Sequence, residues 1–247
     1  LKQKMVDFVE YELTFMNSDG LLEDVPGWVF VEWSRANDLI NGVNYPTNML
    51  FSGVLKSMYK MYGETRYKTL AEKMDEEIVK QSYNGKFFVD NATRDENGKL
   101  VRNTEWTEVC QYYAFWCGYA DKERYPELFN AVYNEIYHKV NLKEKYPEMS
   151  PASAFIGLYL RLDYLSRIRE SEMVIRDLKK FFMPQAIETK TFWEYRTAVG
   201  SCCHAFASLM CEWILRSVIG FEKVDEAGVV LQENSIKMRA TAKIPYN

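Results

Sequence analysis

The sequence predicts an all-α fold, an incomplete α/α toroid of consecutive helix pairs with a short β tail. Three observations predict it. Apolar residues recur at helical spacing over most of the chain, short turns alternate with longer polar connections, and from Val229 the spacing changes to strict alternation. About eight helices are expected. Residues 1–222 are assigned to the toroid and 223–247 to the start of a C-terminal β module.

Met5, Phe8, Val9, Glu12 and Phe15 carry the first helix, which Asn17-Ser18-Asp19-Gly20 ends. PGWVFVEWS follows as an extended or irregular segment, with Trp28, Phe30 and Glu32 alternating against Val29, Val31 and Trp33. Leu50, Val54, Met58 and Met61 mark a helix closing at Gly63, and Tyr67, Leu70, Met74 and Ile78 mark its antiparallel partner. Between Asn84-Gly85 and Asp95-Glu96-Asn97-Gly98 a small two-stranded excursion is expected. Thr104 or Asn103 is read as the cap of a helix to Ala120, with another over 125–139, ended near His138. Phe155, Leu158, Tyr159 and Leu162 carry the next helix after Pro151, and 168–182 its partner. The last helix spans 201–218 and stops at Gly220. Beyond it Ile236, Met238, Ala240 and Ala242 alternate with polar residues, as in strands.

Composition removes several function classes. Lys and Arg number 31 against 35 Asp and Glu, a net charge of −4, so there is no polybasic stripe for nucleic acid or an anionic membrane. No apolar run reaches the roughly 18 residues of a membrane span. Five cysteines, an odd number with Cys202 and Cys203 adjacent, argue against a disulfide scaffold and for buried thiols. No His/Asp/Glu cluster has metal-ligand spacing, so neither metal nor other cofactor is expected. The chain starts without Met and already in helical periodicity, which reads as a processed product or a segment of something longer and leaves the compartment open.

Aromatics make up 15% of the chain, which suits either a large helical core or a carbohydrate cleft. The stretch TFWEYRTAVGSCCHAF sharpens that choice by placing Glu194 beside Trp193 and ten residues from His204. On the residues alone Glu194 is a helix N-terminal carboxylate or a pocket acid, and His204 a core or capping histidine or a sugar contact. Glu32 stays open between a surface loop acid and a pocket group, and Trp28 and Trp33 between packing and sugar stacking. Glu105 and Glu108 are placed at i and i+3 on one helix face, as sugar binders or pocket electrostatics.

Three segments in order, DGLLEDVPGWVFVEWS (19–34), NTEWTEVCQYYAFWCGYA (103–120) and MPQAIETKTFWEYRTAVGSCCHAFAS (183–208), resemble the catalytic domain of bacterial α-L-rhamnosidases, the six-hairpin glycoside hydrolases. The third carries most of the resemblance, with T-[LF]-W-E followed by a loop and S-x-x-H. The resemblance covers the later part of the toroid and the start of the β domain. It implies inverting hydrolysis of terminal α-L-rhamnosides with Glu194 as general base, His204 on a sugar hydroxyl and Trp193 as the neighbouring aromatic. Glu32 stands where the family has Asp in W-x-F-x-D-W, and Trp28 and Trp33 match its two tryptophans. The family's general acid comes from a motif ahead of this region, and the loop from Glu194 to Ser201 is shorter than usual.

Inversion needs two carboxyl groups about 6.5 to 9.5 Å apart, one protonated and one ionised. The partner implied by the resemblance is a carbohydrate substrate, with an upstream segment of the parent chain or a second copy as macromolecular partner, and a periplasmic or extracellular setting ahead of a cytoplasmic one. Two other readings compete: a non-catalytic carbohydrate-binding or structural toroid, and a helical protein-interaction scaffold, which requires an exposed apolar groove.

Overall fold

A computed structural model describes residues 1–136, 142–225 and 228–231. His138 and the alternating stretch 232–244 lie outside them. The described chain is mainly helical, with a few short strands, and divides into two compact units, Leu1–Gly157 and Leu158–Asn247.

The first unit opens with α1 (Lys2–Leu13), whose Val9 is buried while Phe8 stays half exposed. The segment Trp28–Ser34 forms no strand. Val31 and Glu32 are both buried, so the expected alternation of faces is absent. Its backbone is tied instead to side chains: the Val31 N–H donates to Asn37 Oδ1 at 3.0 Å, and Tyr113 Oη donates to the Val31 carbonyl at 3.1 Å.

A hairpin of α2 (Tyr45–Tyr62) and α3 (Thr65–Ser82) forms the body of this unit. Asn44 caps α2 by accepting the Thr47 N–H at 3.0 Å, Pro46 sits in the first turn, where its missing N–H is harmless, and Gly63 closes the helix at φ +73°. The buried stripe of α2 is Met49, Ser52, Leu55 and Met58, rotated from the expected one; Leu50 and Met61 face solvent. On α3 Tyr67, Ala71, Met74 and Ile78 are buried, at the spacing the sequence shows.

The polar excursion is present as β2 (Asn91–Arg94) and β3 (Leu100–Arg102), antiparallel, with β1 (Val43–Asn44) on the other side of β2. Next, β4 (Trp106–Thr107) pairs in parallel with β5 (Met149–Ser150), and α4 (Glu108–Trp116) follows β4 directly. Thr107, not Thr104 or Asn103, caps α4, by accepting the Cys110 N–H at 3.2 Å. The α5 segment (Pro126–Phe129) continues as a π-helical run over Asn130–Glu135, and α6 is Leu142–Lys145. Phe115 packs edge-on against Phe129 and Tyr133, which stack on each other, so this part of the aromatic content is core.

In the second unit α7 (Tyr159–Arg167) pairs with α8 (Ser171–Thr189), which runs past the expected end at Phe182 and contains Pro184. Between them lies a fully buried ion pair, Arg161 Nε to Asp177 Oδ2 at 2.8 Å. The last helix begins late. Ala205–Leu209 is a 3₁₀ turn, α9 covers Met210–Trp213, and a π-helical run over Ile214–Ile219 stops at Gly220. Ser201–His204 is not helical, because its backbone pairs with residues 192–194. Strands β6 (Phe221–Asp225) and β7 (Gly228–Leu231) then form a hairpin, so strand structure opens at Phe221, ahead of Val229, where the alternating spacing begins. Of the cysteines only Cys110 is buried; Cys117 and Cys202 are half-buried, and Cys203 and Cys211 are exposed.

Candidate functional site

The predicted site residues fall into two groups, one in each unit. In the second unit the loop 190–204 doubles back on itself: the His204 N–H donates to the Phe192 carbonyl at 2.8 Å and the Glu194 N–H to the Ser201 carbonyl at 2.9 Å. This ladder brings Glu194 and His204 onto facing limbs of one narrow loop despite their sequence separation. Gly200, at φ +70°, makes the return possible. A Cβ there would lie 2.8 Å from Tyr195 Cε2 and 3.3 Å from Glu194 Oε2.

Glu194 is half-buried. Among the described residues its carboxylate accepts one hydrogen bond, a long one of 3.4 Å from the Ser201 N–H. Most of its lone pairs therefore remain open to a water molecule. Trp193, next to it, is buried and clamped at both ends. Its N–H donates to Gln185 Oε1 at 2.9 Å and its indole N–H to Thr189 Oγ1 at 2.8 Å. Trp193 lines a cavity of about 370 Å³, and neither Glu194 nor His204 lines it.

In the first unit Glu32 is completely buried. Oε2 accepts the Ser153 N–H at 2.9 Å and Oε1 the Gly157 N–H at 2.5 Å. Burial pushes its carboxyl up to about 7, against the backbone hydrogen bonds, which favour the charged form; nearby Glu108 adds to the rise. Glu108 is buried as well, taking the Ala152 N–H at 2.7 Å on Oε2 and the Tyr112 hydroxyl on Oε1. Both acids bond to one backbone stretch, 152–157, while the remaining oxygen, Glu108 Oε1, takes the Tyr112 hydroxyl.

Glu105 does not share a helix face with Glu108. It precedes α4, is exposed, and pairs with Arg35 through Nε at 3.1 Å and Nη2 at 3.4 Å. The helix starts later than its spacing suggests because Asp90 and β5 hold Thr107 and Trp106 extended.

Trp28 is 74% exposed and Trp33 41%, with ring centroids 6.0 Å apart and Phe30 between them, 5.5 Å from Trp28 and 4.8 Å from Trp33. This exposed aromatic group can stack on the apolar face of a sugar. Sequence reasoning missed Asp90, which is fully buried and accepts both the Thr107 N–H and the Thr107 hydroxyl at 2.7 Å; burial pushes its carboxyl up to about 7. No periodicity or motif marks it. Among the described residues there is no group of His, Cys, Asp and Glu able to hold a metal ion, and no helix long and apolar enough to cross a membrane.

No family model and no curated protein matches the sequence. Solved structures do match the fold. A GH78 family rhamnosidase of Bacillus sp. GL1 superposes with a TM-score of 0.70 over 91% of this chain, at 17% identity. A rhamnosidase from Klebsiella oxytoca with rhamnose bound gives 0.61 over 88%, at 14% identity. The chain spans 24% and 42% of those two chains respectively. The fold is therefore rhamnosidase-like, and the expected mainly helical chain with a short β part is present.

Proposed function

We propose that the chain is part of a glycoside hydrolase that cleaves terminal α-L-rhamnosides with inversion, and that Glu194 is its general base. The fold shared with two rhamnosidases supports the class. The observation that carries the assignment to Glu194 is its state of commitment. Of the acids singled out in the sequence, Glu32 and Glu108 are buried and consumed by backbone N–H groups and the Tyr112 hydroxyl, and Glu105 is paired with Arg35. Glu194 alone among these four is half-exposed with a single long hydrogen bond. A base needs that combination, since it has to hold a water and take its proton.

In this reading Glu194 deprotonates the water that attacks the anomeric carbon, while a protonated carboxyl group supplied ahead of Leu1 protonates the leaving oxygen. His204 sits on the limb facing Glu194 and is assigned to a sugar hydroxyl. Trp193 fixes the wall beside the base. Trp28 and Trp33 are assigned to the glycan as stacking surfaces.

The test is hydrolysis of an aryl α-L-rhamnoside by a chain that contains these residues together with the stretch ahead of Leu1. The sugar first released should be the β-anomer by proton NMR. Glu194→Gln should lower kcat by about 10² to 10⁴, the range for loss of general base catalysis, with rhamnose binding kept. Normal turnover in that variant would remove Glu194 from the role of base. Saturable rhamnose binding with no turnover in the unaltered chain would favour the second reading, a carbohydrate-binding module, for which the exposed Trp28 and Trp33 speak.

A further inference from the structure

The cavity beside Trp193 is lined by neither Glu194 nor His204, yet it is built like a ligand site. Its volume of about 370 Å³ suits a small molecule. Lys180, Phe181, Gln185 and Glu188 on α8 form one side, and Trp193 and Arg196 from the loop form the other. The wall is fixed before any ligand arrives. Gln185 accepts the Trp193 N–H and donates its Nε2 to the Tyr195 carbonyl at 3.4 Å, and the Arg196 guanidinium lies 5.3 Å from the centre of the Phe181 ring.

The charge on this wall is positive. Lys180 and Arg196 line the cavity against Glu188, with Arg161, Arg176 and Asp177 near Lys180. The Lys180 ammonium is held below the ordinary lysine range chiefly by burial; Asp177 acts against this, and repulsion from Arg196, Arg161 and Arg176 adds to it. An entering anion would lessen that repulsion. A bare inorganic anion has no use for the Glu188 carboxylate or the Gln185 amide, which suit hydroxyl groups, nor for the Trp193 and Phe181 rings, which suit the C–H face of a pyranose.

We propose that this cavity binds a carboxylated sugar, a hexuronate, with its carboxylate between Lys180 and Arg196 and its ring on the aromatic wall. The inference rests on the glycan-hydrolase reading and narrows its substrate to an acidic glycan.

Calorimetric titration of the full chain with D-galacturonate, D-galactose and sulfate tests it directly. Galacturonate should bind saturably and at least about tenfold tighter than galactose, the effect of one charge-assisted contact. Arg196→Gln and Lys180→Gln should each weaken galacturonate by about tenfold or more, with galactose little changed, and Arg196→Lys should recover part of the loss. Circular dichroism checks that the variants fold, and either one suffices for the comparison. Galactose binding as well as galacturonate, sulfate displacing galacturonate at equal concentration, no saturable uronate binding below about 10 mM, or binding untouched by both variants would overturn the proposal. Uronate binding without rhamnoside turnover would leave this site standing while the hydrolase reading fails; turnover without uronate binding would do the reverse.

Discussion

At Glu32 burial and hydrogen bonding pull in opposite directions. Two backbone N–H groups favour the carboxylate, complete removal from water disfavours it, and burial wins. The side chain can come this close to the backbone because residue 157 is glycine. A Cβ there would stand 2.7 Å from Glu32 Oε1 and 2.6 Å from the Ala152 Cβ. Gly157→Ala must therefore push the 152–157 stretch off Glu32, at a cost of about 1 to 3 kcal/mol in urea unfolding. A loss under about 0.5 kcal/mol would show that the contact yields freely. The sequence marked Glu32 as chemically interesting through its aromatic neighbours. It held no sign that the partners would be amides more than a hundred residues later, because a backbone N–H has no sequence signature.

Among the elements, α4 shows how tertiary contacts override a local signal. Asn103 and Thr104 are both good capping residues, yet Thr107 does the capping, since its hydroxyl accepts the Cys110 N–H while donating to Asp90 Oδ1. Thr107→Ala removes both bonds and leaves buried Asp90 with one partner fewer. The expected loss is about 1 to 3 kcal/mol, and Thr107→Ser, which keeps the hydroxyl, should recover most of it. Equal losses in the two variants would locate the effect in the methyl group. The α2–α3 hairpin was legible because its signals are local: helical spacing of apolar residues, a stop at Gly63, and a 3.6-residue period on α3. The loop 190–204 was legible as a connection but its return ladder was not, and Ser201 to His204 read as the start of a helix. Two backbone hydrogen bonds to Phe192 and Glu194 decide that conformation, and they depend on Gly200 being free to turn.

For the molecule as a whole, the fold shared with rhamnosidases accounts for where the helices lie, and the buried carboxylates govern how stability changes with pH. Glu32 and Asp90 both lie in the Leu1–Gly157 unit, and each is pushed up to about 7 by burial, from ordinary values of 4.5 and 3.8. A raised carboxyl binds its proton more tightly in the folded than in the unfolded chain. Its stabilisation is complete below the unfolded value and is lost as pH rises through the folded one. Unfolding free energy should thus fall between about pH 4 and pH 7 and level off above, by on the order of 3 kcal/mol for each group. The surface pairs act below this window and weakly: Glu23 with Arg94 and Glu135 with Lys145 are held below the usual range and lose stability only as pH drops. Asp90→Asn separates the contributions. The amide oxygen can still accept the Thr107 N–H, and the amide nitrogen can donate to the Thr107 hydroxyl in place of accepting from it. This variant should match the unaltered chain near pH 4.5, exceed it at pH 7, and show about half the slope in urea titrations across that range. A slope unchanged by Asp90→Asn would mean that Asp90 stays ionised in the folded protein, with its two bonds to Thr107 outweighing its burial.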